Sequence, residues 1–175
     1  MDHHNSFFCT VFFLLFTTSL TAQIAKGNFL IGGNLDLQYH SGFSSGTLTG
    51  QFNPNIGYFF GNKLALGLNG FINGTINNNL KSSNYMLSPY ARYYFGVKEN
   101  AALFTQLNAG VLYSNRKYLD SRTKSVDPYL GLGVGHTYFI NKHIGLETQL
   151  YADNAFGKLN LGFKVGLQFY LGKKK

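Results

Sequence analysis

The stretch of sequence that decides the fold is Leu-Asn-Leu-Gly-Phe-Lys-Val-Gly-Leu-Gln-Phe-Tyr-Leu, at residues 159–171. Every odd position holds a large apolar side chain, and every even position holds a polar, small or amphipathic one. Because successive side chains of a strand point to opposite faces, the pattern predicts a strand with one apolar face. Its length is about twice that of a typical globular strand, whereas a tilted strand crosses a bilayer in about 9–11 residues. The apolar face must therefore meet either a protein core or lipid.

The beginning of the chain has the layout of a secretory signal peptide. An apolar run at residues 7–16 is too short to span a membrane as a helix, and small residues follow it up to Ala22. We expect cleavage after Ala22, which divides the chain into a signal peptide at 1–22 and a barrel domain at 23–175. The alternative is an apolar segment that the mature protein keeps. Cys9 is the one cysteine of the chain, so cleavage leaves a protein without disulfides.

The composition limits the class of protein further. The chain has 175 residues, a formal net charge of +8 and a mean hydropathy of −0.07, and it contains no apolar run long enough for a transmembrane helix. A membrane protein can have such a neutral hydropathy if it is a β-barrel, because half of each strand then faces a polar lumen. Nucleic acid is not an expected partner of an exported chain, in spite of the positive charge.

The two-residue period recurs along the whole mature chain. It predicts eight strands, at about 28–39, 50–60, 64–75, 85–95, 102–114, 127–139, 144–151 and 159–171. The links after odd-numbered strands are long or polar, and the links after even-numbered strands are tight turns. An even strand number with short turns at one rim and long loops at the other is typical of outer-membrane barrels, whose short turns are periplasmic. Both chain ends are therefore expected in the periplasm.

Three of the tight turns follow similar triplets that are rich in aromatic residues, here called the aromatic triplets. The triplets are Tyr58-Phe-Phe60, Tyr93-Tyr-Phe95 and Tyr138-Phe-Ile140, and a lysine lies within each turn. Aromatic side chains at this height suit the interfacial girdle of a membrane barrel, and the lysines could meet lipid phosphates. The alternative is ordinary hairpin chemistry, in which Gly-Asn forms the turn and lysine discourages edge pairing.

Three segments carry a resemblance to a known family. They are Gly27-Asn-Phe-Leu-Ile-Gly-Gly33, Pro89-Tyr-Ala-Arg-Tyr-Tyr-Phe95 and Val165-Gly-Leu-Gln-Phe-Tyr-Leu171. With them the chain resembles the small OmpA- and OmpX-like outer-membrane β-barrels of Gram-negative bacteria, and the end of its signal is similar to those of Bacteroidetes members. The resemblance covers nearly all of the mature chain. The family commonly ends its last strand on an aromatic residue, whereas here Leu171-Gly-Lys-Lys-Lys175 follows the last aromatic pair.

The resemblance implies an all-β fold, an eight-stranded antiparallel up-and-down transmembrane β-barrel. It also implies a location in the outer membrane, insertion by the barrel-assembly machinery, contact with outer-membrane lipid including lipopolysaccharide, and a monomeric state. No cofactor is expected. The role is expected to be structural, narrow porin-like or one of surface interaction, and the sequence leaves these three open.

The main alternative is a secreted lipocalin-like barrel that binds a hydrophobic ligand. That fold turns its apolar face inward and its polar face to water. Here the polar face consists mostly of Asn, Gln, Gly, Ser and Tyr. It carries too few charged residues for a surface that faces water. Pro54, Pro89 and Pro128 also fall within strands on the apolar face, where a soluble core strand would seldom hold proline. The sequence therefore favours a membrane barrel.

The other alternative is a barrel enzyme that modifies lipid A. His136 is the candidate residue, because it interrupts an apolar row in the sixth predicted strand. Thr137 and Tyr138 follow it and do not match the His-x-Ser pattern of the deacylases. The other histidines are too scattered for a metal site. We therefore expect a protein without catalytic activity.

Four charged residues of the predicted strands should point into the lumen: Asp36, Arg92, Glu147 and Lys164. An eight-stranded barrel has an interior just wide enough for side chains to fill, and an isolated charge there is costly. We therefore predict an internal ion-pair network that plugs the lumen, with Asp36 paired to Lys164 and Glu147 paired to Arg92. The alternative is that lumen water solvates each charge separately.

The third long loop, predicted at about 115–126, is rich in basic residues. It contains Arg116, Lys117, Arg122 and Lys124 beside a single acidic residue. These side chains could contact lipopolysaccharide phosphates or another anionic partner. The alternative is a solvated loop without a partner.

Overall fold

The chain forms one closed antiparallel barrel in which each strand pairs with the next. The computed structural model describes residues 24–40, 47–76, 80–118, 121–157 and 159–172, with backbone alone at 35–40, 47–49, 80, 118 and 156. The strands are β1 (Phe29–His40), β2 (Thr47–Gly61), β3 (Leu64–Ile76), β4 (Leu80–Phe95), β5 (Ala101–Tyr118), β6 (Ser121–Phe139), β7 (Ile144–Asp153) and β8 (Asn160–Leu171). A 3-10 turn at Ala155–Gly157 precedes β8. The prediction of an eight-stranded up-and-down barrel is confirmed.

The barrel closes where β8 returns to β1. The pairing runs from Phe29 opposite Leu171 to Gly33 opposite Leu167. None of the described residues belongs to a helix that is long and apolar enough to cross a membrane. The predicted signal peptide at 1–22 lies outside the described residues.

The prediction of a loop at 115–126 is wrong, because two strands continue through most of it. β5 extends to Tyr118 and β6 begins at Ser121, and the pairing continues without a break from Tyr113 opposite Val126 to Tyr118 opposite Ser121. Sequence alternation fails here because both faces of the hairpin meet polar surroundings, so nothing forces one face to be apolar. The main-chain hydrogen bonds of the ladder do not depend on that alternation.

The side chains are distributed in the opposite sense to those of a soluble protein. The exposed residues of the outer face include a continuous belt of large apolar side chains, among them Ile56, Leu68, Leu87, Leu107, Leu132, Leu150 and Phe163. The buried residues of the inner face include many polar ones, among them Asn84, Ser88, Arg92, Gln106, Asn108, Glu147, Gln149 and Gln168. Such a continuous apolar belt around the barrel is larger than the apolar patches that soluble monomeric proteins expose to water. The outer face is therefore lipid-facing, the barrel is transmembrane, and a lipocalin-like arrangement is excluded.

Candidate functional site

An ion pair lies inside the barrel, between two of the charged residues that the sequence predicts in the lumen. Arg92 on β4 and Glu147 on β7 are both buried, and Nη1 of Arg92 lies 2.9 Å from Oε1 and 3.0 Å from Oε2 of Glu147. The two strands are not neighbours, so the side chains meet across the lumen. The structure thus brings together one of the two pairs that the sequence suggested.

Further hydrogen bonds hold the arginine in place. Arg92 Nε donates to Gln106 Oε1 at 2.7 Å, and Arg92 Nη1 donates to the hydroxyl of Tyr94 at 3.1 Å. The guanidinium also lies over the ring of Phe104, 4.2 Å from its centroid. A buried charge needs several such partners, because each unmade hydrogen bond in a dry interior costs free energy.

The carboxylate has its own set of donors. Oε1 of Glu147 accepts hydrogen bonds from Thr137 Oγ1 at 3.0 Å and from the Tyr170 hydroxyl at 3.1 Å. The hydroxyls of Tyr94 and Tyr170 are 3.2 Å apart, so the two sets of partners join. The result is one connected hydrogen-bond network that runs across the lumen.

An apolar layer lies in the lumen between this network and the end where both termini lie. Its buried members are Ile24, Leu30, Phe59, Ala65, Tyr94, Ala102, Phe104, Phe139 and Tyr170. The rings of Phe59 and Tyr94 are 5.6 Å apart, and the rings of Phe139 and Tyr170 are 5.3 Å apart in an edge-to-face arrangement. Such contacts exclude water as the core of a soluble protein does. We call this layer the aromatic plug.

The aromatic triplets of the sequence contribute to both faces. Tyr93 and Phe95 point outward and are exposed, whereas Tyr94 between them is fully buried in the aromatic plug. Phe59 and Phe139 likewise occupy the middle of their triplets and are buried. The girdle predicted from the sequence includes only the outward members of the triplets, and the plug was not predicted. The signal was present, because the middle residue of three on a strand must face the other way.

The segment before β1 covers the aromatic plug from outside. Ile24 belongs to the buried cluster, and Val97 of the β4–β5 turn packs against it. Main-chain hydrogen bonds fix this segment, since Gly27 N donates to Phe59 O at 2.8 Å and Phe59 N donates to Asn28 O at 2.9 Å. At the end of the barrel that holds the termini, strand and turn residues therefore pack together.

On the other side of the network the lumen widens into a polar cavity of about 480 Å³. Carboxamides dominate its wall: Asn34, Gln51, Asn53, Asn55, Asn69, Asn108 and Gln149. Nδ2 of Asn53 and Nε2 of Gln149 are buried without a hydrogen-bond partner among the described residues. Groups of this kind are ordinarily satisfied by water, so the cavity is suited to a hydrated interior.

The other two predicted lumen charges lie nearer to the wide end. Lys164 lines the cavity, and its Nζ lies 4.9 Å from the centroid of the Tyr151 ring. The side chain of Asp36 lies outside the described residues, so the suggested pair of Asp36 with Lys164 remains a prediction. No three metal-ligating side chains come together in the part of the chain that the structure describes.

The basic residues of the predicted loop occupy the β5–β6 hairpin at the rim away from the termini. Lys117 lies opposite Arg122, Asn115 lies opposite Lys124, and all of the basic side chains are exposed. Arg116 lies opposite Thr123 and directly precedes Lys117 in β5. Because neighbouring residues of a strand point to opposite faces, Arg116 projects from the inner face of the hairpin. The structure therefore brings together three of the four residues and separates Arg116 from them.

Solved structures with the same fold define the class of protein. The N-terminal β-barrel domain of Pseudomonas aeruginosa OprF is 18% identical, covering 83% of this chain and 98% of its own, with a TM-score of 0.59. Neisserial surface protein A is 13% identical, covering 85% and 100%, with a TM-score of 0.62. The outer-membrane protein OprG from Pseudomonas aeruginosa is 14% identical, covering 86% and 99%, with a TM-score of 0.57. No family model and no curated protein matches the sequence.

The chain thus has the fold of the small eight-stranded outer-membrane β-barrels. The likeness spans almost the whole of each similar barrel. The resemblance seen in the sequence is confirmed at the level of the fold.

Proposed function

We propose that the protein is a non-conducting, non-enzymatic barrel of the outer membrane, with a structural role and a surface for interaction on the rim away from its termini. The aromatic plug is the observation that carries this proposal. Phe59, Tyr94 and Phe104 are fully buried within the lumen, which supports a layer that excludes water. A porin-like role needs a water-filled passage through the whole barrel.

The network of Arg92 and Glu147 adds a second barrier above the plug. Ions that reach the polar cavity meet a neutralised pair that is also hydrogen-bonded to Gln106, Thr137 and the hydroxyls of two tyrosines. Moving either charged side chain aside would leave the other one buried and unpaired. The lumen is therefore closed by two adjacent layers of different chemistry.

The proposed orientation has the termini and tight turns in the periplasm and the β5–β6 hairpin outside the cell. It is supported by the greater length of β4, β5 and β6, with 16, 18 and 19 residues, which continue past the apolar belt at the rim away from the termini, and by the shared fold of known outer-membrane barrels. The polar cavity then opens toward the cell exterior. We also propose insertion by the barrel-assembly machinery as a monomer.

Single-channel recording in planar lipid bilayers tests the proposed closure. The wild-type protein is expected to carry no stepwise current, whereas a Phe59→Ala/Phe139→Ala variant that also carries Arg92→Gln/Glu147→Gln, which removes both barriers, is expected to show discrete openings. The matched control is Phe60→Ala/Ile140→Ala, which truncates the outward neighbours in the same triplets and should stay silent. A wild-type protein that conducts as readily as the plug variant would overturn the proposal.

A further inference from the structure

Four basic side chains lie together on the outer face of β4, β5 and β6, at the rim away from the termini. Lys81 lies directly opposite Lys117, and Lys117 lies directly opposite Arg122 on its other side. Lys124 is on the same face, one step closer to the apolar belt, opposite Asn115. All four side chains are exposed. We call this group the basic row.

The basic row is an unfavourable arrangement for an isolated sheet. Side chains that lie directly opposite on neighbouring strands have Cβ atoms about 5 Å apart, and like charges at that distance destabilise the pairing. The row contains two such contacts in succession, Lys81 with Lys117 and Lys117 with Arg122. Among the described residues of this rim, Asp127 is acidic but lies on the inner face, where it accepts from Ser125 Oγ at 3.0 Å. The repulsion thus has no described acidic partner on its own face.

An aromatic pair lies beneath the row, on the side of the apolar belt. Tyr85 and Tyr113 are opposite each other, with stacked rings whose centroids are 6.4 Å apart. Tyrosine at the edge of an apolar belt marks the interface between lipid and water. Lys124 is two positions and Lys117 is four positions beyond this level, which is about 7 and about 13 Å along the strand. The basic row therefore lies at the height of lipid headgroups.

We propose that the basic row binds the phosphate groups of a phosphorylated glycolipid in the surrounding leaflet. A phosphate that bridges Lys81, Lys117 and Arg122 converts their repulsion into attraction. Arg122 Nε donates to Asn115 Oδ1 at 3.0 Å, which orients the guanidinium so that its two Nη groups can form a forked contact with phosphate oxygens. The stacked tyrosines provide a flat surface for the lipid at the boundary between its headgroup and its chains.

The site differs from the one that the sequence suggested. Lys81 belongs to it although it is distant in sequence, because the register of β4 with β5 brings it beside Lys117. Arg116 does not belong to it, because it projects from the other face. The proposal rests on the proposed function only for the leaflet that the row meets.

Lipid retention in detergent tests the site without depending on orientation. The purified protein is mixed with lipid A that carries both phosphates or with its dephosphorylated form, washed in a zwitterionic detergent, and the bound lipid is measured by native mass spectrometry. The variant is Lys81→Gln/Lys117→Gln/Arg122→Gln. The control Lys26→Gln/Arg116→Gln removes basic side chains that are exposed but lie outside the basic row, Lys26 before β1 and Arg116 on the inner face of the hairpin. The wild type and control should retain phosphorylated lipid, and the row variant should bind it about a hundredfold more weakly, since each basic residue contributes roughly fivefold.

The unfolding temperature provides an independent measurement, because the loss of three charged side chains should not lower it. Without phosphorylated lipid, the row variant should unfold at a temperature equal to or above that of the wild type, because it lacks the cross-strand repulsion. With phosphorylated lipid, the wild type should gain stability and the row variant should not. Inorganic phosphate alone should leave both proteins unchanged.

Three results would overturn the proposal. In the first, the wild type and the row variant retain phosphorylated lipid equally well. In the second, the wild type retains the dephosphorylated lipid as well as the phosphorylated one. In the third, inorganic phosphate alone stabilises the wild type as much as the phosphorylated lipid does. The last result would assign the row to a free anion. Failure of the closure or of the orientation would be seen in bilayer recordings and surface labelling, which this test does not use.

Discussion

Arg92 and Glu147 are 55 residues apart in the sequence, yet they form a two-pronged contact of 2.9 and 3.0 Å across the lumen. Each residue lies on the inner face of its strand, and the other members of the network hold both in place. The pair is therefore a tertiary cross-brace between strands that do not touch through their backbones. Its energetic contribution depends on both partners being present.

Breaking this cross-brace on one side should destabilise the barrel strongly. Glu147→Gln leaves Arg92 buried without its counter-charge, and breaking a buried pair by removing one partner costs about 3–5 kcal/mol. Urea unfolding in lipid vesicles, followed by the gel-mobility shift of the folded barrel, measures the loss. Arg92→Gln/Glu147→Gln should recover a large part of it, because no charge is then left unpaired. Strictly additive effects of the two single changes would contradict the coupling.

A small residue is required where the aromatic plug meets β6. Gly135 lies opposite Phe104, and an added Cβ would meet Cζ of the Phe104 ring and, at 2.6 Å, the carbonyl oxygen of Thr148. Gly135→Ala should therefore destabilise the barrel by about 1–3 kcal/mol through overpacking. Gly74→Ala on β3 is the matched control, because nothing lies within 4 Å of its added Cβ. Equal unfolding midpoints for the two variants would show that the plug can yield at Phe104.

The cost of a charge on the outer face should depend on its depth in the bilayer. Leu107 lies in the middle of the apolar belt, between Ala91 and Leu132, whereas Val126 lies at the tyrosine level. Leu107→Arg should lower the free energy of unfolding by about 2–4 kcal/mol, and Val126→Arg by about 0–1 kcal/mol. Equilibrium unfolding from vesicles gives both values. Equal costs at the two depths would argue against a lipid-facing belt.

Surface labelling tests the orientation, since Cys9 is the only cysteine of the whole chain. Thr123→Cys on the β5–β6 hairpin should react with a membrane-impermeant maleimide on intact Gram-negative cells. Glu99→Cys in the tight β4–β5 turn should react only after the outer membrane is permeabilised. Both positions are exposed, so access and not burial decides the result. The reverse labelling pattern would mean that the termini face the cell exterior.

The strands could be predicted from the sequence because one face of each is apolar over most of its length. Alternation registers that asymmetry directly, as in Leu103, Leu107 and Val111 against Gln106 and Asn108. Where both faces of a strand are polar, the alternation disappears. The extension of β5 to Tyr118 and the start of β6 at Ser121 were therefore not predicted. The alternation pattern reports a difference in polarity between the two faces of a strand, and the two faces of this hairpin differ little in polarity.

The site could be predicted only where one strong physical rule applies. A charge inside a narrow barrel needs a partner, and that rule was enough to suggest Arg92 with Glu147. The aromatic plug was missed because the triplets were judged by their outward members. Lys81 was missed because its proximity to Lys117 comes from the register between strands, which depends on residue-by-residue pairing that one sequence does not reveal.

The aromatic triplets impose a counting rule on this barrel. Phe59, Tyr94 and Phe139 face inward between outward neighbours. A change of one residue in strand length ahead of any triplet would therefore turn its middle, plug-forming side chain toward the lipid and turn an outward, membrane-contacting side chain into the lumen. A change of two residues would restore both. Each of these three strands can thus vary in length only by even steps, and the seal of the lumen and the attachment of the barrel to its membrane must evolve together.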